Sequence, residues 1–188
     1  MKILDPKAIH HLCDGNIEGE TVVINKKLFK DIKDIYSNSE GVDDSTLMYT
    51  VYSYINGDQN NKYNLSYGLS VLHPVYINGE CNMTKGHYHD DELFPEIYVG
   101  LSGEGLLLLM DKNGNEQIEK VTKGSVHYID GKYAHRLVNT GDTDLKVQAV
   151  WSPCAGHDYK SIENKGFKHR IFKNNGKIEI KEVNELSK

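Results

Sequence analysis

The sequence predicts an all-β barrel or jelly roll preceded by an extension that contains a helix. Three observations predict it. From Thr46 onward, short apolar or alternating runs follow one another. Turn dipeptides separate them, among them Asn113-Gly114, Gly141-Asp142 and Asn175-Gly176. A clear helical period occurs in one stretch, ahead of the strands. A chain of 188 residues holds one domain with a proper core and is short for two. The expectation is a single domain over 1–188, with 1–45 as the extension and 46–183 as the β-barrel with its C-terminal hairpin.

Each element has its own signal. Asn25 is placed to cap a helix in which Leu28, Ile32 and Ile35 recur at helical spacings, with Lys26, Lys27, Lys30 and Lys33 on its solvated face. Strands are predicted over Leu47 to Ile55, Leu65 to Leu72, Glu96 to Leu101, Gly105 to Met110, Val126 to Ile129, Arg136 to Val138 and Leu145 to Trp151. In the second of these, Leu65, Tyr67, Leu69 and Val71 share one face, while Ser66, Gly68 and Ser70 share the other and offer a small polar lining for a pocket. The charged tail after Val183 is expected to fray.

Composition excludes several functions. A hydrophobic content of 38% with 26% charged residues is that of a water-soluble protein, and no apolar run approaches a membrane span. The formal charge of -5, without a basic stripe interleaved with aromatics, argues against nucleic acid. Met1 to Pro6 lacks the features of a signal peptide, which makes the cytoplasm the expected location. Cys13, Cys81 and Cys154 are odd in number and widely spaced, as befits reduced packing or surface thiols.

The chemistry concentrates in Thr84-Lys85-Gly86-His87-Tyr88-His89, followed by Glu96 and then His135. Side chains alternate along an extended chain, so His87 and His89 emerge on one face and can grip one ion. The polar run Asp90 to Pro95 loops out and returns Glu96 to the sheet. Three imidazoles and a carboxylate suit a borderline divalent cation: Fe2+ first, with Mn2+, Ni2+ or Zn2+ as alternatives. Arg136 should point away from His135 and lie on the exterior or at an interface.

Two blocks carry a resemblance. The first runs from His87 through Glu96 to Gly103, and the second from Gly124 through Asp130 to His135 and Asn139. Together they resemble the paired signatures of the cupin superfamily, whose fold is a double-stranded β-helix or jelly-roll barrel. More narrowly, the strings 84–89, Glu96-Ile97-Tyr98-Val99, Ala134-His135-Arg136 and Ala155-Gly156-His157-Asp158-Tyr159 resemble the cupin-type, or archaeal-type, glucose-6-phosphate isomerases. The likeness runs from about Tyr49 to Ile180 and is weak over the first 40 residues.

The resemblance implies an aldose-ketose isomerase of glycolysis and gluconeogenesis that interconverts glucose 6-phosphate and fructose 6-phosphate through a cis-enediol or a metal-assisted hydride shift. It implies His87, His89, Glu96 and His135 as metal ligands, Glu96 and His157 as catalytic, and Tyr52, Ser70, Thr84, Gly86, Tyr98 and Tyr159 as substrate contacts. It also implies a homodimer. Asp130-Gly131 stands where the family has a Pro-Pro pair, and Trp151 stands for a tyrosine. Two other readings stay open on the same scaffold: a cupin dioxygenase or decarboxylase acting on a small acid, and a non-catalytic metal-dependent sugar-binding cupin. Ser70, Thr84 and Tyr159, as a phosphate cradle, argue against the oxygenase.

Overall fold

The structure is a computed structural model that describes residues 1–12 and 14–183. Cys13 and the charged tail from 184 onward lie outside the described residues. The N-terminal part comprises β1 (Ala8–His11), β2 (Asn16–Gly19), β3 (Val22–Leu28), the single helical turn α1 (Phe29–Ile32), a 3-10 turn (Lys33–Ile35) and β4 (Leu47–Tyr54). There follow β5 (Ser66–Leu72), β6 (Tyr76–Ile77), β7 (Glu80–Cys81), β8 (Glu96–Ser102), β9 (Gly105–Met110) and β10 (Glu116–Val121). The chain continues through β11 (Val126–Ile129), β12 (Ala134–Asn139), β13 (Leu145–Trp151), α2 (Lys160–Lys165), β14 (His169–Asn174) and β15 (Lys177–Glu182).

From β8 to β13 the chain passes back and forth between two of the four sheets formed by the described residues. A six-stranded sheet has the order β11-β8-β13-β5-β4-β3, and a three-stranded sheet the order β10-β9-β12. All their pairings are antiparallel. Leu107, Leu109 and Leu137 from the smaller sheet meet Met48, Leu72 and Val147 from the larger in one buried cluster. Burying such side chains stabilises by roughly 1.5–3 kcal/mol each. The predicted all-β cupin architecture is therefore present. Among the described residues no helix is long and apolar enough to cross a membrane.

Most predicted strands are found within a residue or two of their expected bounds. The Asn175-Gly176 turn joins β14 to β15 with φ of 50° and 76°, the left-handed conformations that a two-residue hairpin needs.

The predicted helix is the main correction. Asn25, Lys26 and Lys27 belong to β3, where Asn25 pairs with Val51 of β4. Helix survives only as the turn α1, which tucks Phe29 and Ile32 into the core. Lys26 and Lys27 sit instead in the edge strand of the larger sheet. Strands β1, β2, β3, β6, β7 and β10 are not predicted from the sequence. β3 is drawn into the sheet by β4, and the charged β10 is held by β9, which supplies the long apolar partner Leu106 to Met110.

Arg136 is the second correction. It points away from His135 as alternation demands, yet it is 3% exposed, because α1 and α2 cover that face of the small sheet. It lies at the wall of a cavity that opens to solvent past Asp31, Asp34 and Glu163.

Candidate metal centre

Thr84 to His89 runs beside β12 but joins it only through single rungs. Thr84 N donates to the Leu137 carbonyl at 2.9 Å, and Leu137 N returns a bond to Thr84 Oγ1 at 3.1 Å. One rung further, His87 and His135 exchange backbone bonds of 3.4 and 3.1 Å. The segment is thus extended, as alternation between His87 and His89 requires, but it forms isolated bridges in place of a regular strand. Gly86 makes the approach possible. Its φ is +76°, and a Cβ there would meet Phe167 Cε2 at 2.9 Å and the His135 carbonyl at 3.1 Å.

Glu96 returns as foreseen. It opens β8 after the loop 90–95 and lies opposite Ile129 and Trp151. Gly131 takes part in this delivery, since a Cβ on it would stand 2.5 Å from the Glu92 carbonyl oxygen and 2.6 Å from that of Phe94. The Asp130-Gly131 turn therefore lets the loop carrying Glu96 press directly onto the backbone.

Ring nitrogens of His87, His89 and His135 lie within 4.8 Å of one another. Glu96 Oε1 is 2.7 Å from His135 Nε2 and 3.7 Å from His89 Nε2. Glu96 Oε1 and both ring nitrogens of His135 are buried, and none of them meets the geometry of a hydrogen bond. Converging atoms that are buried and unsatisfied in this way fit a shared cation. His89 is prepared for the same task. Its Nδ1 contacts the Phe94 carbonyl at 2.6 Å, which assigns the proton to Nδ1 and leaves the Nε2 lone pair facing the centre.

The electrostatics of His87 and Glu96 agree with a ligand set, whereas His89, which burial would lower, is raised by its contacts with Glu96 and the Phe94 carbonyl. Burial, then the neighbouring His135 and His157, hold His87 well below its ordinary value, in the neutral form that binds metals. Burial by itself would raise the Glu96 carboxyl, but the adjacent imidazoles, His135 foremost, outweigh it and hold Glu96 far below the usual carboxylate range. Burial, with Glu96 adding to it, keeps the Tyr98 phenol protonated.

Above the centre lies a pocket of about 170 Å³. Ser70, Thr84, Gly86, Tyr98, His157 and Tyr159, all expected substrate or catalytic residues, line it. His157 and Tyr159 stack at its rim with ring centroids 5.9 Å apart and 7° between planes, and the His157 backbone N–H donates to Asp90 Oδ2 at 2.9 Å. Tyr52 is the exception. It faces away from the pocket, against the cluster of Ile17, Leu69 and Val71, while Tyr49, Val51 and Ser53 of the same strand face inward. Tyr49 and Lys85 were missed as pocket residues, although Tyr49 has the strand parity opposite to that of Tyr52. Trp151 also lines the wall, and its ring occupies the space that a Cβ on Gly68 would take, at 2.9 Å.

Comparison with known proteins follows the same line. The model of a family described as glucose-6-phosphate isomerase matches residues 20–188. A glucose-6-phosphate isomerase of Thermococcus litoralis is 34% identical over 136 residues, covering 72% of this chain and 70% of its own. Its counterpart from Thermococcus onnurineus is 33% identical over 173 residues, 87% of this chain and 90% of its own. Among solved structures, a Bacillus subtilis oxalate decarboxylase mutant superposes with a TM-score of 0.44 at 20% identity, over 56% of this chain and 26% of that one. The iron(II) form of HppE gives 0.46 at 16% identity, over 69% and 56%.

Proposed function

The chain belongs to the glucose-6-phosphate isomerase family, and from that membership we infer that it is an enzyme interconverting glucose 6-phosphate and fructose 6-phosphate. The observation that carries the reading is the joint one: a buried His-His-His-Glu centre lies directly beneath hydroxyls and backbone N–H groups that suit a phosphate.

The residue roles follow from what this isomerisation needs. A proton leaves the carbon beside a carbonyl and returns to its neighbour, so a base and a countercharge for the developing oxyanion are required. His87, His89, Glu96 and His135 would hold the divalent ion, with Fe2+ the proposed occupant. When bound, the ion supplies Lewis-acid charge at the developing oxyanion. Glu96 is the proposed base, carrying the proton between C1 and C2 on the oxygen not committed to the ion. Tyr98, kept protonated beside Glu96, offers its hydroxyl to a sugar oxygen. Ser70 Oγ, Thr84 Oγ1 and the Gly86 N–H form the proposed phosphate cradle. His157 assists ring opening from the rim and Tyr159 closes over the sugar. A direct hydride shift between C1 and C2 is the rival to the enediol route, and solvent-deuterium incorporation into product separates them.

We further propose that residues 1–188 form one domain acting as a cytoplasmic homodimer in glycolysis and gluconeogenesis. The edge strand β3, with Val23 and Ile24 each 54% exposed, supports an interface there. A single species of 21.3 kDa in sedimentation would refute the dimer. The activity is tested by coupling glucose 6-phosphate formation from fructose 6-phosphate to a dehydrogenase. Absence of turnover after reloading with Fe2+, Mn2+, Ni2+ or Zn2+ would overturn it.

A further inference from the structure

Behind the Thr84–Gly86 segment, on the side away from the metal centre, a second cavity of about 480 Å³ opens beneath α1 and α2. The sequence contains only two arginines, Arg136 and Arg170, and both line this cavity. Every other fixed side-chain cation is a lysine. Arginine is distinguished from lysine by a planar fork of donors that matches the oxygens of phosphate and carboxylate.

Arg136 is the informative one. It is 3% exposed, its guanidinium lies 4.5 Å over the Phe167 ring, and its Nη2 donates to the Lys85 carbonyl at 2.7 Å. Its Nε is buried without a partner. The cavity is also lined by the exposed Asp31, Asp34 and Glu163. Glu80 takes Arg170 Nη1 at 3.0 Å, Glu163 takes Lys85 Nζ at 2.5 Å, and Asp31 accepts the Leu28 backbone N–H at 2.9 Å. Among the described residues Arg136 therefore has a carbonyl and an aromatic face for company but no carboxylate contact. Arg170 Nε is likewise buried and unsatisfied. Both Nε atoms are closed off from solvent, so a cavity-bound anion would meet the terminal guanidinium nitrogens, where it would offset the cost of a buried cation without a carboxylate contact.

We propose that this rear cavity binds a phosphate group, with Arg136 as the principal donor and Lys85 and Arg170 as its supports. The site is distinct from the reaction pocket, and Lys85 is the wall between them. Its carbonyl holds Arg136 on one side, while Thr84 and Gly86 line the front pocket on the other. A bound phosphate would thus sit against the back of the cradle without entering it. The proposal rests on the cavity alone and does not require the isomerase reading.

Calorimetric titration with inorganic phosphate tests it, on the native protein and on Ser70→Ala, Arg136→Lys, Arg136→Met and Asp34→Asn. The expected result is a binding event that Ser70→Ala keeps, Arg136→Met loses and Arg136→Lys weakens by about tenfold. Asp34 is exposed and lines the same cavity, so its neutralisation should tighten the event about threefold at low salt. No event in the native protein, or one that Ser70→Ala abolishes and the arginine variants retain, overturns the proposal. If circular dichroism shows that the Arg136 variants fail to fold, Asp34→Asn decides, and unchanged phosphate affinity in that variant overturns it. A parallel titration with glycerol 3-phosphate distinguishes the natural sources. Tighter binding than inorganic phosphate assigns the cavity to a phosphate ester, and weaker binding assigns it to the free ion.

Discussion

Glu96 Oε1 and His135 Nε2 face each other at 2.7 Å in the floor of the pocket, and neither forms a hydrogen bond. Donor atoms brought this close in a buried place suit a shared cation. Chelation should therefore abolish turnover and lower the melting temperature, and metal return should restore both. At a hundredfold excess over Kd the ion contributes about 2.7 kcal/mol to stability. Scanning calorimetry with and without metal measures the shift. His89→Ala should lose bound metal and activity together, and elemental analysis showing full occupancy with normal turnover would remove His89 from the ligand set.

Glu96→Gln preserves shape and one oxygen donor but removes the charge. Metal affinity should fall moderately and kcat steeply, by about a hundredfold or more. If the metal-loaded variant keeps most of its kcat, Glu96 is not the base.

As a proposed phosphate contact, Ser70 would act equally in the ground and transition states. Its replacement by alanine should raise KM for fructose 6-phosphate by about tenfold and leave kcat nearly unchanged. Steady-state kinetics that leave KM in place would take Ser70 out of the cradle.

Gly86→Ala puts a Cβ 2.9 Å from Phe167 and 3.1 Å from the His135 carbonyl oxygen, at a φ of +76°. Strain and overlap together should cost about 2 kcal/mol or more. Denaturant midpoints provide the check, and a variant as stable as the parent would mean that the segment yields freely.

The thiols should differ in reactivity. Burial pushes the Cys81 thiol up to about 12, with no exposed surface, whereas Cys154 is partly exposed. Alkylation of the native protein at neutral pH, followed by peptide mass mapping, should label Cys154 and spare Cys81.

The sequence revealed those parts of the fold and site whose signals are local. The convergence of His87, His89 and Glu96 was legible because the two histidines share one face of an extended segment and the turn-rich run before Glu96 marks a return to the sheet. Strands β5, β9 and β13 were legible because their apolar residues alternate or run together. The errors share a different cause. Leu28, Ile32 and Ile35 fit a helical period, and only the pairing of β3 with β4 decides for a strand. Tyr49, Tyr52 and Tyr54 are chemically alike, so nothing local says which parity faces the pocket. Arg136 has the predicted orientation but not the predicted exposure, because the covering elements α1 and α2 come from distant parts of the chain.

The rung between His87 and His135 joins residues far apart in the chain, and Glu96 reaches the same point from the other sheet. Contacts of such long sequence separation form only after chain closure over the intervening residues. The ligand set is consequently a late product of folding, complete only when both sheets have docked. An ion held there would bind the finished chain and slow its unfolding, so metal supply should govern how long the native protein persists rather than how quickly it forms.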